Sequence, residues 1–281
     1  MWTHENRSLY ERKGARYPSD LSDAEWALIA PLIPPAKRGG RRREVDVREV
    51  MNGVLYVLET GCQWRALPKD LPPKSTVHDY LMLWDWDGTL ERIHHALYLM
   101  TRDLEGCEAS PSAAVIDSQS VKGAEKGGPR IDPSGYDAGK KVKGKKRHLL
   151  VDTLGLILAI AVHPANLQDR DGALFVLDRQ TRRLFAFLQT IFADSAYGGE
   201  KLSRAMDAAS WKIEVVKLPA NQKGFEVIPR RWVVERTIAW INRCRRLAKD
   251  YENLNRTAVA FIRLASIRLM LRRLTRYCYP S

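Results

Sequence analysis

The apolar positions along the chain fall into two regimes. From Ser22 to about residue 104 they recur at helical spacing. Ser22-Asp23-Ala24-Glu25 has the form of a capping box, opening a helix through Trp26, Leu28 and Leu32 that Pro34-Pro35 stops. Val47, Val50, Met51, Val54, Val57 and Leu58 mark a second helix, with Gly61 placed to cap its C-terminus. Ser75 reads as the N-cap of a third, carrying Val77, Leu81 and Trp84 and ended by Gly88. A fourth runs through Ile93, Leu97 and Met100. The pair near 47–60 and 76–86 has the character of a helix-turn-helix with a turn longer than the usual three or four residues or so. That spacing predicts a helical domain over 19–105, serving DNA binding or dimerisation, behind a flexible lead-in at 1–18.

From residue 111 the pattern changes. AAVIDSQSV reads as a buried strand, and the Gly-, Lys- and Pro-rich stretch 122–143 as a long loop. KRHLLVDTLGLILAIAVHP reads as two strands around a turn at Thr153-Leu154-Gly155. Residues 169–185 are helical, FLQTIFAD is a fourth strand, Gly199 to Ala209 a helix, WKIEVVKLP a strand, and 230–250 and 257–276 two helices. This order predicts a mixed α/β domain over 106–281, antiparallel at first and with a crossover later.

Charge sharpens the picture. The net charge is +13 over 281 residues, distributed as −1 over 1–105, +5 over 106–224 and +9 over 225–281. Positive charge gathered in this way is the usual footprint of phosphate binding. Lys140, Lys141, Lys143, Lys145, Lys146 and Arg147 put six cations into eight residues. Arg231, Arg236, Arg243, Arg245, Arg246 and Lys249 line the penultimate helix, and Arg263, Arg268, Arg272, Arg273 and Arg276 the last. In the N-terminal domain Arg41, Arg42, Arg43, Lys74, Thr76 and His78 are the candidates for DNA contact. No apolar run approaches the roughly 18 residues of a membrane span. The N-terminus has no secretory signal, and four scattered cysteines read as reduced thiols, so a cytoplasmic protein is expected.

Three acids stand out against that positive field. Asp117 and Asp194 each end an apolar strand-like run, and Glu235 lies in an Arg-rich helical pattern. A carboxylate in such a place needs a partner or a metal. If the first and fourth strands are neighbours, Asp117 and Asp194 meet at one edge, and a helix packed there can bring Glu235 to them. Oxygen donors in this number suit Mg²⁺ or Mn²⁺. Two such ions about 4 Å apart serve in-line phosphoryl displacement. Turn geometry or helix ion pairing could also account for each acid. Asp152 reads as a strand-turn Asp, and Asp169 and Asp171 as helix caps. Trp232 and Trp240 read as core packing.

The segments LSDAEW, GCQWRALP, STVHDY, VIDSQSVKG, KGKKRHLLVDTLGL, HPANLQDRDGA, FADSAYGG and RRWVVERTIAWINRCRRLAKDYE, over roughly 16–276, resemble bacterial insertion-sequence transposases of the DDE class, in the IS-five group. The resemblance implies a ribonuclease-H-like mixed sheet with flanking helices behind a small all-helical N-terminal domain. It implies Asp117, Asp194 and Glu235 as catalytic triad, with Arg231 as an associated basic residue. Two Mg²⁺ ions are expected, with Mn²⁺ able to substitute. The expected partners are double-stranded DNA, as terminal inverted repeats and target, and a second copy of the chain on DNA, with no membrane and no small-molecule substrate. The sequence departs from the family signature at Ile228, where Tyr is common, and at Asn242, where Lys is common. Ser118 and Ser195 adjoin the acids, but nothing nearby resembles the arginine arrangement of a serine recombinase. The alternatives are a nuclease of the same fold without strand transfer, and a catalytically silent DNA-end-binding protein.

Overall fold

The structure is a computed structural model and describes residues 15–36, 39, 43–126, 130–208, 210–216 and 232–277. The lead-in expected at 1–18 therefore lies mostly outside the described residues, as do Arg41, Arg42, Ile228 and Arg231.

Four helices come first: α1 (Asp23–Ile29), α2 (Val47–Thr60), α3 (Lys74–Trp86) and α4 (Thr89–Leu104). The capping box is present, with Ser22 Oγ accepting from Glu25 N and the Glu25 carboxylate from Ser22 N. Gly61 ends α2 at φ +67°, where a side chain would be strained and would also meet the Arg245 backbone at 2.9 Å. Ser75 does not cap α3. The helix begins two residues earlier, at Lys74, with Pro73 in the N-cap position and no side-chain cap.

The strands are β1 (Ala113–Lys122), β2 (Gly135–Asp137), β3 (Val142–Asp152), β4 (Ile157–Pro164), β5 (Thr190–Ala193) and β6 (Lys212–Val215). They form one sheet in the order β2-β3-β1-β5-β6, with β4 also paired to β3. β1, β3 and β4 pair antiparallel, and β5 and β6 add in parallel. The loop expected at 122–143 is shorter than its composition suggested, since β2 forms within it and pairs Tyr136 with Lys143.

The later helices are α5 (Asp169–Gly172), α6 (Arg179–Leu184), α7 (Glu200–Ala208), α8 (Trp232–Ile241) and α9 (Asn255–Tyr277). The single helix expected over 169–185 is broken, because Asp178 accepts from Thr181 N and starts a new one. The helix expected over 230–250 ends at Ile241. Beyond it the chain turns so that Leu247 O and Lys249 O accept from Arg147, which pins this segment to β3.

α9 joins the two regions. Phe261, Ile262, Leu264, Ala265, Ile267, Met270 and Leu271 are buried, and the helix packs on α4, on β4 and on the other N-terminal helices. The hydrophobic core therefore runs without a break from α1 to the sheet. Charge follows the same path. Arg256 pairs with Asp85, Arg268 with Glu59, and Arg273 with Glu105 at 2.8 Å. Much of the positive charge of the last helix thus answers the acidic N-terminal region and not a phosphate backbone.

Candidate active site

β1 and β5 run parallel with Val115 opposite Phe192, and continuing that register by two residues sets Asp117 beside Asp194. Side chains alternate along a strand, so both acids share the face of Val115 and Phe192. Each is partly exposed. Ser118 N donates to Asp117 Oδ1 at 2.7 Å. Asp194 Oδ1 accepts from Ala196 N at 2.9 Å and so begins a single 3₁₀ turn, Ser195–Tyr197. α8 packs on β1 and β3. It buries Val233 and Val234, and its Thr237 hydroxyl donates to Gly155 O at 2.9 Å. Glu235 lies on the exposed side of that helix.

Hard oxygen donors at a strand edge suit a hard divalent ion. The register supplies a pair of them, Asp117 and Asp194. Among the described residues no three His, Cys, Asp or Glu side chains are placed to hold one ion, so Glu235 is not part of such a group.

The sequence reading missed a buried polar array behind these acids. Ser118 pairs across the ladder with His148, and Ser120 with Lys146. Ser118 Oγ donates to Asp169 Oδ1 at 2.8 Å, and Lys146 Nζ lies 2.9 Å from the same oxygen and 3.3 Å from Asp137. Asp169 is therefore not a helix cap. It reaches back to the strand, and Gln168 takes the cap position. Burial opposes ionisation of Asp137, but the Ser120 hydroxyl, Lys140 N–H and Lys146 ammonium outweigh it and hold the carboxyl down at about 2. His148 is fully buried and stacks on His163 with ring centroids 4.9 Å apart. Gly172 closes over both rings; a Cβ there would stand 2.3 Å from His148 Nε2. One signal could have revealed this array: polar residues at alternate positions of β1 and β3 that face the same side.

Burial pushes His148 down to about 3, helped by His163. It also pushes His94, which bonds Ser266 in the core, to about 3. In the unfolded chain these rings take a proton near their ordinary value of 6.5. Between that pH and about 3 the unfolded state binds more protons, so stability falls as pH falls. The slope is at most about 1.4 kcal/mol per pH unit for each ring. Calorimetry from pH 7.5 down to 5 should show a declining melting temperature, shallower in His94→Gln. A flat profile would mean that the rings are solvated.

The candidate DNA contacts divide by placement. Lys140, Lys141 and Lys143 are exposed, as are Lys74, Arg245 and Lys249, while Thr76, His78 and Arg43 are partly so. Lys145, Lys146 and Arg147 are not available to a phosphate, contrary to expectation. They lie within β3 and are buried. Lys145 Nζ donates to Asp132 O, Pro133 O and Asn255 Oδ1 at 2.6–3.0 Å, and Arg147 serves the Leu247 carbonyl. The reason is that the run enters a strand in the middle of the sheet, where cations must find internal acceptors. Arg236 is also engaged, donating to Leu154 O, with its guanidinium 4.3 Å and 4.7 Å from the Trp232 and Trp240 ring centroids. Those two indoles clamp this arginine and do not fill the core. Asn242, at the atypical position, has a buried side-chain oxygen with no partner among the described residues.

Residues 108–270 match the family described as "Transposase DDE domain", and residues 21–94 match "Putative transposase of IS4/5 family". Two Burkholderia cepacia proteins are similar. The "Putative transposase for insertion sequence element IS402" is 31% identical over 49% of this chain and 67% of its own length. The "Insertion element IS402 uncharacterized 16.2 kDa protein" is 34% identical over 36% of this chain and 72% of its own length. No solved structure matches. Four antiparallel strands extended by two parallel ones, with helices packed against them, agree with the ribonuclease-H-like fold that a DDE domain implies. By match and by fold, the chain belongs to the DDE transposases of bacterial insertion sequences.

Proposed function

We propose that this chain cleaves phosphodiester bonds at the ends of its insertion sequence and joins the freed 3′-hydroxyls to target DNA, with Asp117, Asp194 and Glu235 as its catalytic acids. The observation that carries this reading is the parallel pairing of β1 with β5 from Ala113–Thr190 to Val115–Phe192, from which each chain runs on by two residues to Asp117 and to Asp194. Asp117 comes from the central strand of the sheet. Asp194 is oriented by its own turn, and Glu235 comes from the helix packed over β1 and β3. Asp117 and Asp194 would hold Mg²⁺, two ions in the full site with Mn²⁺ able to substitute. Such ions activate a nucleophile and stabilise the leaving oxygen. In the first step a water oxygen attacks the phosphorus and the 3′ oxygen leaves as a hydroxyl. In the second that hydroxyl attacks a target phosphorus and displaces one target oxygen. Each step exchanges one P–O bond for another, so no protein–DNA covalent bond and no external energy source is needed.

Residues 19–105 form a DNA-binding or dimerisation unit in this reading, and 106–281 the catalytic domain. Lys140, Lys141, Lys143, Lys74, Thr76, His78, Arg245 and Lys249 are the phosphate contacts. Lys140 Nζ already lies 2.9 Å from Ser118 O, one residue from Asp117. Changing Lys140, Lys141 and Lys143 to Gln should lower the slope of log affinity against log salt by about 0.9 for each phosphate that is no longer neutralised. Arg147→Gln should instead lower stability and leave that slope unchanged. Equal salt slopes for wild type and the triple variant would turn this surface away from DNA. Two ends must be brought together, so the active species is at least a dimer on DNA, acting in the cytoplasm. No helix among the described residues is long and apolar enough to cross a membrane.

The test is an assay of the full chain with a labelled end duplex and a second target duplex, with and without Mg²⁺. Metal-dependent cutting at the end followed by joining is the expected result. Cutting without joining would leave a nuclease, and binding without cutting a silent end-binding protein.

A further inference from the structure

Tyr197 is where the supports of the two aspartates meet. The ladder between β1 and β5 runs from Ala113–Thr190 to Val115–Phe192, two residues short of the acids, so backbone pairing does not itself hold Asp117 to Asp194. Tyr197 closes the turn that Asp194 begins, with its N–H donating to Asp194 O at 3.2 Å. Its side chain turns inward and is buried. There its hydroxyl shares a 3.3 Å hydrogen bond with His148 Nδ1 on β3, and His148 Nε2 lies 3.9 Å from the Asp169 oxygen to which the Ser118 hydroxyl donates. The ring meets His148 edge-on, at 86° and 6.0 Å. Ser118 is gripped in turn. Its hydroxyl donates to Asp169, and its carbonyl accepts from Lys140. His148 is braced by stacking on His163. A chain of side-chain contacts thus runs from the residue after Asp117 to the turn after Asp194, entirely behind the face on which the acids lie.

We infer that Tyr197 and Ser118 are positioning residues that set the separation and orientation of the Asp117 and Asp194 carboxylates from the back of the sheet. This rests on the reading of those carboxylates as the metal-holding pair. A site of this kind works only when its supports hold it to within about 0.5 Å. Outer supports of metal ligands commonly change metal affinity by roughly 10–100-fold when removed. Tyr197→Phe deletes the hydroxyl and keeps the ring; Ser118→Ala deletes the other end of the link.

Both variants of the full chain should be titrated with Mn²⁺ alone, without DNA, by calorimetry, beside Asp117→Asn. End-duplex binding in EDTA and the Mg²⁺ dependence of cleavage should then be followed. The expected result is Mn²⁺ binding weakened about tenfold in each variant. The Mg²⁺ requirement for cleavage moves up by a similar factor, and excess Mg²⁺ restores much of the rate. Metal-free end binding stays at the wild-type level, and melting falls by only a few degrees, as expected for removal of one hydrogen bond. A purely structural role would lower melting and spare the Mn²⁺ affinity. Wild-type Mn²⁺ affinity in both variants would overturn the inference. If Tyr197→Phe does not fold, Ser118→Ala decides the matter alone. Loss of Mn²⁺ binding in Asp117→Asn tests the underlying assignment separately; if Asp117→Asn binds Mn²⁺ normally, the metal reading of that acid fails, whatever Tyr197 does.

Discussion

Asp117→Asn should abolish cleavage of the element's end while leaving its binding in EDTA at the wild-type level. Asn is nearly isosteric, so strand packing is preserved: Ser118 N can still donate to the side-chain oxygen. The substitution removes one negative charge and one anionic oxygen at the place where two adjacent strands bring carboxylates together. Charge stabilisation by a held divalent ion supplies several kcal/mol at the transition state. A loss of that size is on the order of 10³-fold or more in rate. Single-turnover cleavage of a labelled duplex over a range of Mg²⁺ concentrations measures it. Cleavage by Asp117→Asn at the wild-type rate would remove this residue from the site. Asp194→Asn should behave in the same way, since Oδ1 is already committed to Ala196 N and the substitution keeps that bond.

Arg102→Met should produce the largest loss of stability. Arg102 on α4 lies 2.5 Å from Asp152 at the end of β3, and both side chains are almost completely buried. Asp152 Oδ1 accepts from Leu154 N and Leu156 N, while Oδ2 faces Arg102. Burial pushes the Asp152 carboxyl above its ordinary range even with these partners opposing it. Removing the cation leaves an uncompensated buried charge, which typically costs about 3–5 kcal/mol. In a chain of this size that is roughly 6–15 °C of melting temperature. The double variant with Asp152→Asn should recover much of the loss, because the amide oxygen can still accept the two backbone N–H bonds. Chemical denaturation followed by circular dichroism reports both. A single-variant loss under about 1 kcal/mol would mean that the pair is hydrated and not buried.

The His94 and metal predictions address separate parts of the molecule. The histidine effect belongs to the folded core and needs no DNA or metal. The Asp117 effect appears in metal binding and in chemistry, and the Arg102 effect only in stability. A variant that disturbs more than one of these readouts has changed more than the interaction it was made to remove.

Local signals were legible where a residue's own backbone needs decide the outcome. The Ser22 capping box, the left-handed Gly61 and the four N-terminal helices follow from capping and periodicity. So do the strand runs that end in Asp117 and Asp194. Those signals involve neighbours within a few positions along the chain, and sequence spacing alone carries them. Signals depending on what lies across the fold went astray. The cluster at 140–147 has the composition of a solvent-facing basic loop, yet its second half is strand and turns inward. Its cations are answered by the carbonyls of residues 132–133, 167 and 247–249, which no local window contains. The same is true of the helices expected over 169–185 and 230–250. They have the apolar spacing of continuous helices; the first is interrupted before a new cap at Asp178, and the second ends where the chain turns to meet Arg147.

By itself, then, the amino-acid order determined the element types, the acids that follow the apolar strand runs and the family to which their spacing belongs, because capping, side-chain alternation and turn chemistry act over a few residues. Only the tertiary structure decided that β1 lies beside β5. It alone matched the arginines of α9 to Glu59, Asp85 and Glu105, and linked Ser118 to Asp169 and Tyr197 to His148. A buried polar group or charge must find its partner wherever the chain provides one. In this molecule that partner is usually far away in sequence, so the fold and not the local pattern assigns it.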